Sequence, residues 1–306
     1  MHIKSPLTGS DNVEKESEIR TDFLIKHYRE QLGVDVRNYF KGIDTVGIYR
    51  CLDSGYRFYH PFNITGDGKF YEELQKNAWY YMDWKWEHGK ALAMVRDAKT
   101  VLEVGCAQGE FLEKVHAQKI DCTGLELNAH AAGVGRKKGL HILEESIQDH
   151  ARKNKERYDV VCSFQVAEHI APIGEFLRAS LDALKPGGKL IISVPNNDSI
   201  VFKSGNDMIL NMPPHHMGLW DMHSLISLQR FFPVRIEDIL LEPLQTYHKG
   251  YARDIIQKKL HEKLKKRSLA WLPGVGKISN RFINMNVQAL VEYIIGHTIM
   301  AVYTKK

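Results

Sequence analysis

From Thr100 onward, short apolar runs rich in β-branched residues alternate with longer segments whose apolar positions recur at helical spacing. This alternation is typical of parallel βαβ units. It predicts strands at 100–104, 121–126, 158–163 and 188–194, and helices between them at about 108–117, 128–138 and 174–184. The helix at 174–184 stops before "KPGG", which predicts a turn. A helix near 222–231, a strand near 234–242 and a last strand in "HTIMAVYTK" complete an α/β pattern.

Outside this alternating pattern, the amino-acid composition changes from one segment of the chain to the next. Residues 1–17 are polar, so we expect a disordered tail there. Residues 18–97 form a predicted N-terminal cap, and eleven of the thirty aromatic residues lie between Tyr56 and Trp86. The main domain is expected at 98–306, with a long insertion at 246–295 before the last strand.

Composition narrows the class of protein. Of the 306 residues, 43% are hydrophobic and 26% charged, as in an ordinary soluble domain. No apolar run approaches the roughly 18 to 20 residues that span a bilayer, and the N-terminus has no apolar core of a signal peptide. We therefore expect a cytoplasmic protein. Its four cysteines lie far apart without a CxxC pair, which favours buried reduced thiols over a disulfide framework or a structural zinc site.

The positive charge is concentrated in one segment. Residues 251–267, "YARDIIQKKLHEKLKKR", hold seven basic and two acidic side chains, an excess equal to the whole net charge of +5. Ile256, Leu260 and Leu264 would form an apolar stripe on a basic helix, and "LAWLPGVGKI" follows it. Such a helix is typical of contact with an anionic membrane surface. Residues 251–272 are thus predicted to dock peripherally at the inner membrane face, or else to pack on the domain with the lysines in water.

A glycine-rich turn follows the first strand in "VLEVGCAQGEFLEKV". Glycines there let the backbone approach a ligand closely. The spacing Gly105-Cys-Ala-Gln-Gly109 is not the G-x-G-x-x-G of a dinucleotide site, and Glu103 would place a negative charge beside a phosphate. A nicotinamide oxidoreductase is disfavoured, and a cationic ligand fits better.

Three motifs together carry a family resemblance. "VLEVGCAQG", "YDVVCSFQVAEHI" and "LKPGGKLIISVPN" resemble the class I S-adenosylmethionine (SAM)-dependent methyltransferases, in the branch of the ubiquinone-biosynthesis O-methyltransferases. The similarity covers about residues 98–245. The resemblance implies a Rossmann-like seven-stranded sheet, SAM as the cofactor and a methyltransferase activity.

The resemblance also implies roles for individual residues around SAM. Glu103 is expected to organise the glycine loop and its water, and Glu126 to accept hydrogen bonds from both ribose hydroxyls. An exposed helix-capping acid is the alternative reading of Glu126. The other expected cofactor contacts are Gly105, Ala107 and Gly109 at the methionine moiety, Leu127 beside Glu126, Ser146 and Ile147 near the adenine, and Phe164 and Gln165 at the methyl-donor end.

The residues after the fourth strand bear on the acceptor. Methyltransferases that act on bases and amides carry Asn or Asp followed by Pro-Pro-Tyr there, whereas this chain has "SFQVAEH". Nucleic acid is therefore not an expected partner. Transfer to a hydroxyl needs a base or a metal, and the candidates are Glu168, His169, His215 and His216. Glu168 and His169 could equally be a helix-capping pair. Related enzymes that bind a divalent cation use an acid where Gln165 stands, so no metal site is predicted and a divalent cation is not favoured.

The aromatic cap resembles those of methyltransferases from polysaccharide biosynthesis. "WYYMDWKWEHGKAL" is predicted to form a helix over the SAM pocket, with Tyr80, Tyr81, Trp86 and Glu87 as contacts. Tyr81 is also expected to touch the cofactor. A cap of this kind would exclude water from the transfer.

Together these features predict an O-methyltransferase acting on a hydroxyl of a sugar, glycan or related small metabolite that a lipid could carry. Three alternatives stay open: a quinone or phenol O-methyltransferase, a sugar C-methyltransferase, and a SAM-binding interaction protein without activity. The sequence indicates no oligomeric state.

Overall fold

The strands and helices are given by a computed structural model, which describes residues 3–77, 84–199, 202, 208–246, 249–250, 252, 254–255 and 295–306. The strands are β1 (Val13–Arg20), β2 (Thr45–Cys51), β3 (Arg57–His60), β4 (Thr100–Val104), β5 (Asp121–Leu125), β6 (Ile142–Leu143), β7 (Tyr158–Phe164), β8 (Leu184–Pro195), β9 (Gly218–Leu219), β10 (Val234–Pro243) and β11 (Ile295–Lys305). The helices are α1 (Thr21–His27), α2 (Gly68–Gln75), α3 (Trp86–Met94), α4 (Glu110–Ala117), α5 (Ala129–Lys137), α6 (Ile147–Lys153), α7 (Ile173–Ala183) and α8 (Met222–Phe231).

The larger sheet has seven strands in the order β10-β11-β8-β7-β4-β5-β6. The five strands from β8 to β6 in this order pair in parallel, whereas β11 runs antiparallel to both of its neighbours. The predicted Rossmann-like seven-stranded α/β sheet is therefore confirmed. Its parallel strands end at one edge, which is where open sheets of this kind bind ligands.

The central strands are buried on both faces. In β7, Val161 packs into one apolar layer, while its neighbours Val160 and Cys162 pack into the layer on the other side. Such double burial explains why these strands have continuous apolar runs in the sequence. All four cysteines are buried and free, as the sequence predicted.

Two local features of the larger sheet depart from the sequence prediction. The "KPGG" segment is not a separate turn, because β8 already begins at Leu184 and contains it. Gly187 there has a φ of 75°, and the pairing with β7 shifts register between Tyr158 and Val160. β6 and α6 were not predicted, since β6 has only two residues and leaves little apolar pattern.

A second sheet lies outside the predicted α/β pattern. It has four antiparallel strands in the order β1-β2-β3-β9. β9 follows the "PPHH" segment, so this sheet joins the N-terminal region to the loop after β8. Ile209 and Met217, on the loop after β8, pack in one apolar cluster with Val46 of β2 and Tyr59 of β3.

The expectation of a disordered tail at residues 1–17 is wrong for the described residues 3–17. β1 begins at Val13 and pairs with β2 along its length, and Leu7 is buried in the main core. The backbone N–H of Gly174 donates to the carbonyl of Pro6 at 2.9 Å, which fixes the segment against the start of α7. Backbone pairing orders this segment although most β1 side chains are exposed.

Most of the basic insertion lies outside the described residues. β10 ends at Pro243 and β11 begins at Ile295. The predicted membrane contact at 251–272 falls between them, and only Ala252, Asp254 and Ile255 of it are described. Among the described residues, no helix is both long enough and apolar enough to cross a membrane.

Candidate active site

The glycine turn between β4 and α4 has an unusual backbone. Gly105, Ala107 and Gly109 have φ values of 75°, 47° and 84°, which lie in the left-handed region. A methyl group at Gly105 would come within 2.4 Å of Cγ2 of Val166, so this position requires glycine. Val166 belongs to the segment after β7. The turn therefore lies directly against the loop that carries Glu168 and His169.

Glu126 holds this turn in place. Its Oε2 accepts a hydrogen bond from the backbone N–H of Ala107 at 2.9 Å, and its Oε1 accepts one from Asn128 at 2.8 Å. Burial raises the pKa of Glu126, and the backbone hydrogen bonds partly oppose this effect. Each carboxylate oxygen can accept a further hydrogen bond, as a ribose diol would require. The neighbouring Leu127 side chain is exposed.

Glu103 lies inside β4 and is only 3% exposed. Its Oε2 finds no hydrogen-bond partner among the residues that the structure describes. Burial, with smaller contributions from the charges of Glu110 and Glu126, raises its pKa well above the ordinary range. A buried carboxyl of this kind is stabilised when a cation approaches it. The turn, Glu103 and Glu126 thus fit a cationic ligand with a diol, which is the chemistry of SAM.

Three of the four residues expected at the adenine and at the methyl-donor end pack in different ways. Ser146 is the N-cap of α6, because its Oγ accepts from the N–H of Asp149 at 3.1 Å. Ile147 is buried in the core. Phe164 packs edge-on against Phe111, with ring centroids 4.9 Å apart.

Gln165 connects the end of β7 to the cap. It has a φ of 56°, and its Nε2 donates to Oε1 of Glu87 at 3.0 Å. Glu87 lies in the first turn of α3 and is 2% exposed. The structure therefore brings these two predicted site residues together. Tyr80 and Tyr81, also predicted here, lie outside the described residues.

The three histidines named from the sequence meet in one cluster. The ring centroids of His169 and His215 lie 4.5 Å apart, those of His215 and His216 4.5 Å apart, and those of His169 and His216 4.9 Å apart. His215 and His216 are each 6% exposed. We call His169, His215 and His216 the histidine cluster. It brings together the loops that follow β7 and β8.

Hydrogen bonds fix the tautomer of two cluster members. Nδ1 of His169 lies 2.7 Å from the carbonyl oxygen of His215, and Nδ1 of His215 lies 2.8 Å from that of Leu210. A carbonyl oxygen can only accept, so each Nδ1 carries the proton and donates it. The lone pair of each neutral ring is therefore on Nε2.

A chain of asparagines fixes the tautomer of His216. Nδ2 of Asn197 donates to the carbonyl of Trp220 at 3.0 Å, so its Oδ1 accepts from Nδ2 of Asn211 at 2.8 Å. Oδ1 of Asn211 then faces Nδ1 of His216 at 3.0 Å. His216 must donate this bond as well. Sequence reasoning missed both asparagines, because Asn197 follows the end of β8 and Asn211 ends a three-residue 3-10 helix, and neither place has a periodic pattern.

Burial keeps the cluster neutral. It lowers the pKa of His169 to about 4, and it lowers the pKa of His215 and of His216 well below the ordinary value. Neighbouring histidines add to the effect at His215 and His216. The neutral rings can accept hydrogen bonds or bind a cation through nitrogen, but they are weaker bases than an exposed histidine.

Glu168 lies beside the cluster and is 1% exposed. Its Oε1 is 3.9 Å from Nε2 of His169, and its Oε2 has no hydrogen-bond partner within the described part of the chain. Burial raises the pKa of Glu168 to about 8. Its backbone carbonyl accepts from Met217 at 2.7 Å and from Gly218 at 2.9 Å. These bonds attach the two histidine-bearing loops to each other.

An open cavity of about 800 Å³ borders the cluster. His169 lines it together with Phe62 from the cap. Lys4 and Arg178 give the wall positive charge, and Glu175 gives it one acid. Its size is that of a small-molecule site.

Comparisons with known proteins identify the family of this chain. A family model described as "Methyltransferase domain" matches residues 65–231. The chain is similar to a ubiquinone biosynthesis O-methyltransferase of Serratia proteamaculans, 34% identical over 128 residues, which are 38% of this chain and 52% of that protein. It is similar to the enzyme of the same name from Salmonella arizonae, 30% identical over 156 residues, which are 47% of this chain and 62% of the relative. The chain thus spans about half the length of the first curated relatives that it matches.

Among solved structures, one similar chain is a SAM-dependent methyltransferase from Archaeoglobus fulgidus. It is 19% identical with a TM-score of 0.47, and the match covers 72% of this chain and 94% of that one. The family model, by contrast, spans more than half of the 306 residues and includes the glycine turn, Glu126 and the histidine cluster. The chain therefore belongs to the methyltransferase domain family.

Proposed function

We propose that the chain is a SAM-dependent O-methyltransferase that methylates a phenolic or quinol-type hydroxyl. The observation that carries this proposal is the histidine cluster, which lies at the edge of the sheet where the parallel strands end. It borders an open cavity on one side. On the other side, His169 hydrogen-bonds through its backbone N–H to Val166, the residue that lies against the glycine turn.

The residues of the glycine turn would hold SAM. Glu103 would face its ammonium group, and Glu126 would accept bonds from its ribose hydroxyls while keeping Ala107 in its left-handed conformation. When bound, SAM would supply a methyl group on a sulfonium, so that an oxygen nucleophile could form a bond to the methyl carbon while S-adenosylhomocysteine leaves with the electron pair of the broken S–C bond.

The histidine cluster would receive the acceptor. A hydroxyl loses its proton as its oxygen attacks, and a neighbouring acceptor group accelerates this step. In each ring of the cluster Nδ1 is already committed as a donor, so Nε2 is left unprotonated, and His169 is the member that lines the cavity. A phenol with a pKa near 10 gives up its proton to such weakly basic rings far more readily than a sugar alcohol does.

The relatives bear on the choice of acceptor. The names of those from Serratia and Salmonella concern ubiquinone biosynthesis, which favours the quinone or phenol alternative. The sugar or glycan acceptor expected from the sequence finds no support in these names, and neither does polysaccharide biosynthesis. The aromatic residues that suggested it serve partly as core, since Tyr56, Phe58 and Tyr59 are buried.

Product analysis with methyl-labelled SAM tests the proposal. Catechol and methyl glucoside would be offered separately, with S-adenosylhomocysteine release measured in parallel. We expect an O-methyl product from catechol and little from the glucoside. Transfer to carbon, or SAM binding without transfer to either acceptor, would contradict it and favour one of the alternatives. Replacement of His169 by Ala should lower turnover by roughly a hundredfold while SAM still binds.

A further inference from the structure

We propose that the histidine cluster is a binding site for a divalent transition-metal cation. The inference deepens the proposed function and rests on it for its catalytic meaning, but the site itself is argued from side-chain geometry. One ring nitrogen from each of His169, His215 and His216 lies within 4.8 Å of the other two. Three imidazoles that converge at this spacing form the ligand set of a metal centre.

The hydrogen bonds around the cluster are those that a metal site needs. A histidine ligand binds through one unprotonated nitrogen, and its other nitrogen donates to a carbonyl or a similar acceptor that orients the ring. All three rings meet this condition, through the carbonyls of His215 and Leu210 and through Oδ1 of Asn211. The three tautomers are therefore set in the same sense, with Nε2 of each ring left for a cation.

The loops that carry the rings are held from several sides. The carbonyl of Met212 accepts from the hydroxyl of Tyr28 at 2.7 Å, and the hydroxyl of Tyr59 donates to the carbonyl of Asn211 at 3.0 Å. The carbonyl of Glu168 binds the backbone just after His216. The ring positions are thus largely formed in advance, which lowers the cost of ordering the site when a cation enters. His169 also lines the open cavity, which gives the cation a path.

The donor set selects the class of cation. Imidazole nitrogen suits zinc, iron, nickel and copper, whereas magnesium prefers oxygen. Around a tetrahedral zinc ion the nitrogen atoms would lie about 3.3 Å apart, so binding would draw the rings closer together. Glu168 is near enough for its Oε1, 3.9 Å from Nε2 of His169, to become a fourth ligand or to hold a water on the cation.

This site differs from the carboxylate site of the related enzymes that bind a divalent cation. Gln165 stands at the position of one acid and is engaged with Glu87, so that arrangement is incomplete in this chain. The two histidines after β8 supply ligands from a different loop. A cation held there would polarise an acceptor hydroxyl at the cavity and make its proton easier to lose.

Metal titration of the full-length, untagged and chelator-treated protein tests the site. Cobalt(II) is the probe, because its visible absorption reports nitrogen coordination, and calorimetry with zinc gives affinity and stoichiometry. We expect uptake of one cation that excess magnesium does not displace. Single His→Phe substitutions at 169, 215 and 216 should each weaken binding by about tenfold or more.

His150→Phe is the matched control. His150 is also buried, but its ring nitrogens bond to Glu145 at 2.6 Å and to Tyr158 at 2.8 Å, away from the cluster. It should leave cobalt binding unchanged. Circular dichroism and SAM calorimetry establish that each variant is folded, and if one cluster variant unfolds, the other two still decide.

The possible outcomes separate the two proposals. No stoichiometric uptake by the folded wild type, or uptake insensitive to all three cluster substitutions, overturns the site. Uptake with the expected losses supports it, even if no hydroxyl acceptor is methylated, in which case the proposed function fails alone. Methylation that proceeds at full rate after the metal is removed supports the proposed function and overturns the catalytic role of the cation.

Discussion

Replacement of Glu126 should weaken SAM binding and loosen the glycine turn at the same time. The carboxylate accepts from Ala107 at 2.9 Å and from Asn128 at 2.8 Å, so it holds both the turn after β4 and the first residues before α5. Ala107 needs this support, because its φ of 47° is unfavourable for a residue with a side chain. Glu126→Ala removes both acceptors, and Glu126→Gln leaves only one acceptor oxygen.

The magnitude follows from these bonds. Hydrogen bonds to a charged group contribute about 1.5 to 3 kcal/mol, so losing those to the ribose should reduce SAM affinity by about ten- to a hundredfold in Glu126→Ala. The N–H groups of Ala107 and Asn128 also lose their acceptor. Each costs about 1 to 3 kcal/mol if buried and less where water can reach it. Glu126→Gln should fall between the wild type and Glu126→Ala in both affinity and stability.

Calorimetry with SAM and chemical unfolding measure the two effects separately. Glu113→Ala is the control, since Glu113 is an exposed acid on α4 that is 3.8 Å from Lys138. It should change neither quantity by more than a few tenths of a kcal/mol. A folded Glu126→Ala protein that binds SAM as tightly as the wild type would refute the reasoning and remove this residue from the cofactor site.

Three further predictions concern other parts of the chain. Gly105→Ala should abolish SAM binding and lower the free energy of unfolding by more than about 1 kcal/mol, because the new methyl group would collide with Val166 and the φ of 75° disfavours alanine. An unchanged unfolding curve would contradict this prediction. Burial acts to raise the pKa of Asp159, but hydrogen bonds from Lys185, Lys99 and Thr100 outweigh this effect and hold the pKa at about 2. The ionised carboxylate should therefore make the wild type more stable than Asp159→Asn by about 1 to 2 kcal/mol above pH 4. This difference should vanish as the pH falls from about 4 to about 2. A difference that stays constant over this range in urea unfolding would disagree. Finally, the membrane contact of residues 251–272 stays a prediction: the protein should sediment with anionic vesicles at low salt and be released at high salt, and its presence in the supernatant throughout would end the idea.

The central sheet could be predicted because its strands and helices repeat a strong pattern. β4 spans Thr100–Val104 and α8 spans Met222–Phe231, which are the predicted limits of both. Burial on both faces demands apolar residues at nearly every position of such a strand, so the run is visible without knowledge of its partners. β6 lacked this signal, since two residues can pair with β5 without an apolar run.

The N-terminal sheet could not be predicted in the same way. β1 reads "VEKESEIR", and nearly all of its side chains are exposed, so it has no apolar stripe. It is held by backbone bonds to β2 and by ion pairs of Glu16 with Arg50 and Arg57, at 2.5 and 2.6 Å. These partners are more than thirty residues away in the chain. A segment whose order comes from distant partners resembles a disordered tail when read alone.

The candidate site was predictable in its members but not in its assembly. The family resemblance supplied Glu103, Glu126 and the glycine turn, because each belongs to a short motif. His169 and His215 are separated by 46 positions, and nothing in the sequence places their rings side by side. That placement depends on β9, which pairs with β3 and so directs the preceding histidines toward the loop after β7.

Backbone carbonyls, rather than the histidines themselves, determine which ring nitrogen of each cluster member carries the proton. The carbonyls of Pro195 and Trp220 can only accept, so Asn197 must turn its amide nitrogen toward them. That orientation passes through Asn211 and ends at Nδ1 of His216, which is left with its lone pair on the other nitrogen. The end of β8 therefore determines which atom of a side chain in the next loop can bind a proton or a cation. His216 therefore owes its tautomer to two asparagines and to the carbonyls that orient them, whereas the neighbouring His215 owes its tautomer directly to the carbonyl of Leu210.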